Sequence, residues 1–323
     1  MSDTSLAVKC ADPAMLAEVR EGLLRAQKEI SPKYFYDHRG SLLFEAITRL
    51  PEYYLTRTER ALLTRVAPAL ARSIGPRSLV ELGAGSADKT RIVLDALHPE
   101  SLVYVPVDVS AAFLDETATR LRAEYPGLHV EPVVADLSDD APGARPFAPR
   151  SLPHPTLVAF LGSTIGNFDD DAAVRLLRRV RGGMRVDDRL LLGADLVKDV
   201  AVIEAAYNDA QGVTAEFNRN MLRVLNHELG ATFDPDAFEH WAFYNAAAGR
   251  IEMHLVADAD QCVGIPGVGT IPVRRGESIR TEVSNKYDRP RLTRMLLAAD
   301  LDIAEWETDD AGGYALVVAR PCA

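Results

Sequence analysis

The feature that most constrains this 323-residue chain is an apolar strand ending in a glycine turn, at residues 79–90 (LVELGAGSADKT). Gly83 and Gly85 stand in the turn, where the missing Cβ lets the backbone approach a ligand closely. A dinucleotide fingerprint, Gly-x-Gly-x-x-Gly, would need a third glycine where this chain has Asp88. Because no diphosphate would then be cradled, the turn favours S-adenosylmethionine over NAD. A tight turn without any ligand remains the alternative at this point.

The composition excludes several classes of partner. Hydrophobic residues make up 47% of the chain and charged residues 26%, which predicts an ordinary globular core. The net charge of -11 would repel nucleic acid over most of the surface. The three cysteines are far apart and the histidines scattered, so we expect no disulfide framework, no metal and a reducing, cytoplasmic location. We find neither a signal sequence nor a membrane-length apolar run, so no membrane partner is expected.

The first two thirds of the chain alternate between strand and helix patterns after an all-helical start. The initial helices are predicted at 11–30, 41–50 and 58–74. Strands follow at 78–82, 103–107, 129–134, 156–161 and 189–194, separated by helices at 88–97, 111–124, 170–181 and 199–210. Apolar strands separated by helices predict a parallel sheet covered on both faces, with ligands at the carboxyl ends of the strands.

After residue 200 the alternation stops. A helix at 213–229 and strands within 237–257 and 268–284 predict an α+β insertion, and a helix at 291–299 with strands at 301–307 and 314–319 would complete the sheet. We therefore expect an N-terminal helical segment (1–60) that is part of the substrate-binding domain, a cofactor-binding core (61–199), an inserted substrate-binding or lid domain (200–286), and a C-terminal helix and hairpin (287–323).

Polar residues stand at the predicted strand ends. Asp108 follows the second strand roughly 25 residues after the glycine turn, a spacing that suits an acid bound to ribose hydroxyls. Asp136 follows the third strand and is placed for an exocyclic adenine amine. Taken singly, each acid could equally be a helix cap or a loop charge. Together with Glu81, they put three acids at three successive strand ends, which favours a nucleoside site.

Seven strings of residues extend the argument beyond the glycine turn. They lie at 32–37 (PKYFYD), 50–59 (LPEYYLTRTE), 80–83 (VELG), 160–167 (FLGSTIGN), 193–199 (GADLVKD), 217–220 (FNRN) and 281–284 (TEVS). From about residue 30 to its end, the chain thereby resembles the histidine Nα-methyltransferase family of ergothioneine biosynthesis. The resemblance implies a class I, Rossmann-like α/β methyltransferase fold with an inserted lid domain. It also implies trimethylation of the α-amino group of free L-histidine to hercynine, with three molecules of S-adenosylmethionine per histidine.

The resemblance assigns the cofactor residues one by one. Those matching family positions that hold the cofactor are Tyr36, Gly83, Gly85, Lys89, Asp108 and Asp136. Among them, Lys89 would reach the methionine carboxylate. The family usually has an aromatic residue after the acid at the third strand end, whereas this chain has Leu137, so one packing contact with adenine would be lost.

The resemblance also assigns substrate residues. Asn167, Tyr53 and Tyr207 would hold the amino-acid backbone, Gly162 and Thr164 would line the amine, Glu282 and Ser284 would bind the imidazole, and Met253 and Phe44 would line the pocket. Glu282 and Ser284 are two apart on a predicted strand, so both face the same side. A carboxylate and a hydroxyl there could read both ring nitrogens.

Several other functions share part of this pattern. A related N-methyltransferase acting on another free amino acid, such as tryptophan, is the nearest alternative, although a carboxylate at Glu282 suits imidazole better than an apolar ring. A nicotinamide-dependent dehydrogenase lacks its third glycine, and a module that only senses S-adenosylmethionine would not need the polar pair. A nucleic-acid methyltransferase is disfavoured by charge and by Gly166-Asn167-Phe168, which contains no proline. We expect a monomer.

Overall fold

The computed structural model describes residues 12–97, 99–138 and 152–322. It divides the chain into two compact units. Unit 1 comprises Met1–Phe44, Tyr207–Phe243 and Glu252–Glu282, and unit 2 comprises Glu45–Ala206, Tyr244–Ile251 and Val283–Ala323. Each unit is therefore assembled from segments that are distant in sequence.

The helices and strands of the described residues have the following bounds. The α-helices are α1 (Pro13–Leu24), α2 (His38–Ile47), α3 (Tyr54–Ile74), α4 (Thr90–Leu97), α5 (Ala111–Glu124), α6 (Asp170–Gly182), α7 (Val200–Ala205), α8 (Val213–Leu229) and α9 (Arg289–Ala298). The strands are β1 (Lys28–Glu29), β2 (Ser78–Leu82), β3 (Val103–Asp108), β4 (His129–Val130), β5 (Val133–Val134), β6 (Thr156–Phe160), β7 (Arg189–Asp195), β8 (Phe238–Asn245), β9 (Arg250–Ala257), β10 (Gln261–Ile265), β11 (Gly269–Val273), β12 (Ser278–Asn285), β13 (Leu301–Thr308) and β14 (Tyr314–Pro321).

Unit 2 is built on an eight-stranded sheet of order β13-β14-β7-β6-β2-β3-β4, with β5 also paired to β3. β2 pairs in parallel with both β3 and β6, and β6 pairs in parallel with β7. β14 runs antiparallel to β7 and to β13 at the other edge. Every residue of β2 and β6 is buried, because helices cover both faces of a parallel sheet. This is the Rossmann-like class I methyltransferase fold, and the chain reverses its strand order at β2, where such sheets bind ligands.

Unit 1 combines helical and β structure. Most of a four-stranded sheet of order β1-β12-β9-β8 lies in it, with a separate antiparallel hairpin of β10 and β11. α8 has a buried stripe, and its Phe217 stacks on Phe35 with 4.4 Å between ring centroids. Residues 12–44 and the segments 207–243 and 252–282 therefore belong to one unit.

Two elements of unit 1 differ from the sequence prediction. The first helix ends at Leu24 rather than at residue 30, because Lys28 and Glu29 extend and pair in parallel with Ile279 and Arg280. β10 was not predicted, and its ladder with β11 includes Gly264, a residue that weakens the strand signal.

Two elements of unit 2 also differ. The predicted strand 129–134 is two short strands interrupted around Pro132, which lacks the N–H that a ladder needs. α3 begins at Tyr54, before the predicted helix start at residue 58. Among the described residues, no helix has both the length and the apolarity needed to cross a bilayer. The thiols of Cys262 and Cys322 are free, and Cys10 lies outside the described residues.

Candidate functional site

The glycine turn after β2 brings three of the predicted cofactor residues together. Gly83 and Gly85 have φ of 70° and 51°, a left-handed conformation that a side chain would strain. The N–H of Gly83 donates to the carbonyl of Val107 at 2.8 Å, which ties the turn to the end of β3. The N–H of Gly85 donates to Oδ2 of Asp108 at 3.0 Å. The turn and the first strand-end acid therefore form one hydrogen-bonded unit.

Asp136 lies beside this unit at the same edge of the sheet. Asp108 is in register with Val134, and the N–H of Ala135 donates to the carbonyl of Asp108 at 3.0 Å. The Asp136 carboxylate accepts from the N–H of Ser138 at 2.8 Å, so part of it is engaged in a local turn. Leu137 packs against the apolar core of unit 2.

A buried carboxylate that the sequence analysis did not single out, Glu59 of α3, stands behind the loop that follows β6. Its Oε2 accepts from Lys89 Nζ at 2.5 Å, its Oε1 accepts from the Tyr314 hydroxyl at 2.7 Å, and the N–H of Gly162 donates to it at 2.8 Å. Burial and the neighbouring carboxylate raise the pKa of Tyr314 well above its usual range. Glu59 therefore links the lysine expected to hold a cofactor carboxylate with the loop expected to hold an amine.

The sequence contains a signal that could have identified Glu59 as a buried carboxylate. Leu55, Leu62 and Leu63 are buried on α3, and Glu59 falls four residues after the first and three before the second. It therefore lies within the apolar stripe of the helix, where an ionised group needs partners. An acid on an apolar stripe is the signal that would have identified it.

The loop after β6 has a tightly constrained start. Gly162 and Ser163 have φ of 77° and 56°. The Thr164 hydroxyl donates to the carbonyl of Leu161 at 2.8 Å and begins a short 3₁₀ helix, Thr164–Asn167. A Cβ on Gly83 would lie 3.8 Å from Thr164 Cγ2, so the glycine turn and this loop adjoin.

The far end of the same loop is held by Asn285, at the end of β12. Its amide nitrogen donates to the carbonyls of Gly166 at 2.9 Å and Phe168 at 2.8 Å. A Cβ on Gly166 would lie 3.0 Å from the carbonyl oxygen of Asn285 and 3.5 Å from Ser284 Oγ. Unit 2 therefore brings Ser284 against the loop that carries Asn167.

Asp195, at the end of β7, is a buried carboxylate with three side-chain donors. The Tyr54 hydroxyl donates to it at 2.7 Å, Lys286 Nζ lies 2.9 Å away, and Lys198 forms a further ion pair. Its own N–H donates to Ser163 Oγ at 2.9 Å, which connects this cluster to the loop after β6. Burial lowers the pKa of Lys198, and Asp195 opposes that shift.

Glu81, in β2, has a buried carboxyl that is hydrogen-bonded within the core next to the site. Burial raises its pKa to about 7, although hydrogen bonds from Thr90 and Tyr104, each 2.5 Å long, lower it in part. Thr90 begins α4 and Tyr104 belongs to β3, so this carboxyl joins three elements around the glycine turn.

The remaining predicted residues of unit 2 and those of unit 1 are placed as follows. Tyr53 is buried directly before α3, close enough to Tyr314 to affect its pKa. In unit 1, Tyr36 and Phe44 lie 5.7 Å apart by ring centroids, and both contact Phe217. Met253 is buried on β9, and Glu282 is half-buried on β12.

Tyr207 is held in unit 1 through its backbone. His240 Nε2 donates to the carbonyl of Tyr207 at 2.8 Å, while Nδ1 accepts from the Asn218 amide at 2.8 Å. The Asn218 amide is oriented in turn by the Thr281 hydroxyl, which donates to its oxygen at 2.6 Å. Burial lowers the pKa of His240, which favours the neutral ring that this pattern requires.

Comparison with known proteins identifies the family of the chain. The model of the family described as histidine-specific, S-adenosylmethionine-dependent methyltransferase matches residues 15–321. Histidine N-alpha-methyltransferase of Mycobacterium tuberculosis (strain CDC 1551 / Oshkosh) is 44% identical over 309 residues, covering 95% of this chain and 94% of that protein. The protein of the same name from Mycolicibacterium smegmatis is 42% identical over 97% of both chains. Ergothioneine biosynthesis protein 1 of Neurospora crassa is 29% identical over 90% of this chain and 33% of its own length. The chain belongs to the histidine-specific, S-adenosylmethionine-dependent methyltransferase family.

Proposed function

We propose that this protein trimethylates the α-amino group of free L-histidine to hercynine, consuming three molecules of S-adenosylmethionine per histidine and acting as a monomer. The observation that carries the proposal is the edge of the unit 2 sheet. There the glycine turn, Asp108, Lys89 and the loop after β6 converge at the strand ends. The named relatives support histidine as substrate, and the ergothioneine protein supports hercynine as product.

The residues at the turn fit S-adenosylmethionine. Around the position that a Cβ of Gly85 would occupy there is open space, so the backbone can meet a ligand there. Asp108 uses one oxygen on Gly85 and the other on Ser110, and each carboxylate oxygen has a second lone pair for ribose hydroxyls. Lys89 offers an ammonium to the methionine carboxylate. When bound, S-adenosylmethionine supplies an electrophilic methyl group on sulfur.

Asn167, Tyr53 and Tyr207 are proposed to hold the amino-acid backbone, and Gly162 and Thr164 to line the α-amine. Glu59 and Asn285 fix the two ends of the loop after β6, so a group bound on it is held in a narrow range of positions. Such positioning makes the encounter effectively unimolecular and can supply a large part of the rate enhancement. Glu282 and Ser284 are proposed to bind the imidazole, while Met253 and Phe44 line the pocket. Tyr36, Asp136 and Leu137 are proposed to contact the cofactor.

The segments before residue 60 and from 200 to 286 are proposed to form the substrate-binding and lid part of the enzyme. Three successive methylations require that the intermediate be held or readmitted while the amine turns. A segment that can open and close would meet that need.

Two glutamates near β12 allow a matched test. Glu282→Gln should lower kcat/KM for histidine about 10–100-fold, because a charge-assisted hydrogen bond to the ring is replaced by a neutral one. Glu277→Gln is the control, since this half-exposed residue pairs with Lys28 instead. Mass spectrometry of the products gives both the rate and the number of methyl groups added. Equal activity in the two variants would remove Glu282 from the proposed substrate residues.

A further inference from the structure

Lys286 is a buried lysine that none of the roles above uses. Its side chain is 0% exposed, and Nζ lies 2.9 Å from Asp195 Oδ2 and donates to Ser284 Oγ at 2.9 Å. Lysine is almost never fully buried unless it is paired, because removing an ammonium from water costs several kcal/mol. Its place therefore calls for a physical reason.

Hydrogen bonds hold the backbone around Lys286. The N–H of Lys286 donates to the carbonyl of Gly249 at 2.9 Å, and its own carbonyl accepts from Arg291 Nη1 at 3.0 Å. The next residue, Tyr287, donates through its N–H to the carbonyl of Asp195 at 2.9 Å. The backbone that carries the Lys286 side chain is thus tied to the end of β7, which carries Asp195.

Charge neutralisation of Asp195 does not by itself require Lys286. Asp195 already forms an ion pair with Lys198 and accepts from the Tyr54 hydroxyl at 2.7 Å. Of the two lysines, only Lys286 also donates to Ser284. The contact that distinguishes Lys286 from Lys198 is therefore the one to the serine hydroxyl.

We propose that Lys286 is a positioning residue that makes Ser284 a hydrogen-bond donor toward the substrate. An ammonium group has three donors and no acceptor, so Ser284 Oγ accepts from it and the serine O–H is directed away from Lys286. This inference rests on the proposed role of Ser284 in binding the imidazole. A neutral imidazole has one nitrogen that accepts and one that donates. Ser284 then donates to the ring nitrogen that accepts. The Glu282 carboxylate, two residues earlier on β12, can accept from the ring N–H.

Two consequences distinguish a fixed donor from a freely rotating hydroxyl. A ring that has C–H in place of the accepting nitrogen cannot form this hydrogen bond with Ser284 and should react about tenfold less well. A protonated imidazole, with two N–H groups, should also be rejected. A free hydroxyl would instead rotate and accept from it.

The test compares histidine with the two pyrrolylalanines, each of which keeps one ring N–H and replaces the other nitrogen with C–H. The measured quantity is the ratio of kcat/KM for histidine to that for the better pyrrolylalanine. We expect Lys286→Met and Ser284→Ala each to lower the wild-type ratio about tenfold, and the double variant to lower it no further. Lys198→Met is the matched control, because it removes a partner of Asp195 without touching Ser284, and it should keep the wild-type ratio.

The outcomes separate this inference from the proposed function. An unchanged ratio in Ser284→Ala would refute the imidazole role of Ser284 itself. A lowered ratio in Ser284→Ala with a wild-type ratio in Lys286→Met would overturn only the role of Lys286. An equal loss in Lys198→Met would show that the effect passes through Asp195, which would also overturn it.

A measurement on the wild type covers the case in which Lys286→Met does not fold. As the pH falls through about 6.5, where free imidazole becomes protonated, kcat/KM for histidine should fall relative to that for a pyrrolylalanine, which does not protonate. The comparison cancels the titration of the α-amine, which both substrates share. A ratio that stays constant with pH would contradict a fixed serine donor.

Discussion

Replacing Gly193 by alanine tests whether the Glu59 network holds the site together. Gly193 lies in β7, and a Cβ there would fall well inside van der Waals contact with Glu59 Oε1, 3.2 Å from Glu59 Cδ and 2.8 Å from the Tyr314 hydroxyl oxygen. Both neighbours are buried, so neither can swing into solvent. Gly193→Ala should therefore displace the Glu59 carboxylate from Gly162 and Lys89.

The expected loss of stability is about 3 kcal/mol. Overpacking a buried site typically costs about 1–3 kcal/mol, and breaking a buried charge pair costs about 3–5 kcal/mol. The two costs overlap, because moving Glu59 relieves the clash, so we take a value at which the ranges meet. For a domain of this size the melting temperature should drop by roughly 6–12 °C. Without the clash, alanine in a strand interior would be stabilising by about 0.5–1 kcal/mol, so the sign alone is informative.

The assay follows thermal and urea denaturation by the fluorescence of Trp306 in a Trp241→Phe background, which leaves one tryptophan, packed on the core of unit 2. Gly182→Ala is the matched control. It lies at the end of α6 with open space where its Cβ would be, so it should be neutral or up to about 1 kcal/mol stabilising. Cofactor affinity should fall in Gly193→Ala only. If the two variants melt within a degree or so of each other, alanine at residue 193 does not displace Glu59.

Three further perturbations test the surroundings of the site. Because burial raises the pKa of Glu81 to about 7, the native state keeps a proton that the unfolded chain loses near 4.5, so wild-type stability should fall as the pH rises from about 4.5 to about 7. In Glu81→Gln, whose amide stays neutral, the free energy of unfolding measured by urea denaturation should fall by about 3 kcal/mol less over this pH range. An equal dependence of the unfolding free energy on pH in both proteins would contradict a buried, protonated Glu81. Burial lowers the pKa of His240, so the unfolded chain takes up a proton that the native ring resists, and unit 1 should lose stability as the pH drops below about 6.5. The fluorescence of Trp241 in a Trp306→Phe background should show this loss, and His240→Gln should reduce it; a loss of equal size in His240→Gln would rule His240 out as its source. Ser163→Ala removes the acceptor of the buried Asp195 N–H and should cost about 1–3 kcal/mol in thermal denaturation, whereas an unchanged melting temperature would mean that this hydrogen bond is dispensable.

Much of the sheet of unit 2 could be predicted from sequence, because apolar runs within single segments indicate its strands. The run 78–82 is wholly apolar apart from its terminal serine and Glu81, and it forms β2 with the predicted bounds. The predicted helices 111–124 and 213–229 are confirmed as α5 and α8. In contrast, β1 is two residues long and exists only because it pairs with β12, which lies about 250 residues away along the chain. No local sequence pattern predicts such a pairing.

The candidate site divides in the same way. The glycine turn and Asp108 could be predicted because they are separated in sequence by a distance typical of nucleoside sites. The structure joins them by a hydrogen bond. Glu59 could have been found only as an acid on the apolar stripe of α3, and its partners Lys89, Gly162 and Tyr314 are far away in sequence. Lys286 has no such pattern, and only its burial beside Asp195 and Ser284 identifies it. The substrate roles of Glu282 and Asn167 remain predictions.

The most direct test of the proposed activity is mass spectrometry of the purified protein after incubation with S-adenosylmethionine and an equimolar mixture of free amino acids. We expect that histidine alone gains methyl groups and that the final product carries three. Methylation of tryptophan or another amino acid in place of histidine would keep the fold and the cofactor but contradict the roles of Glu282 and Ser284. No methylation of any amino acid, with S-adenosylmethionine bound, would contradict the proposed activity itself.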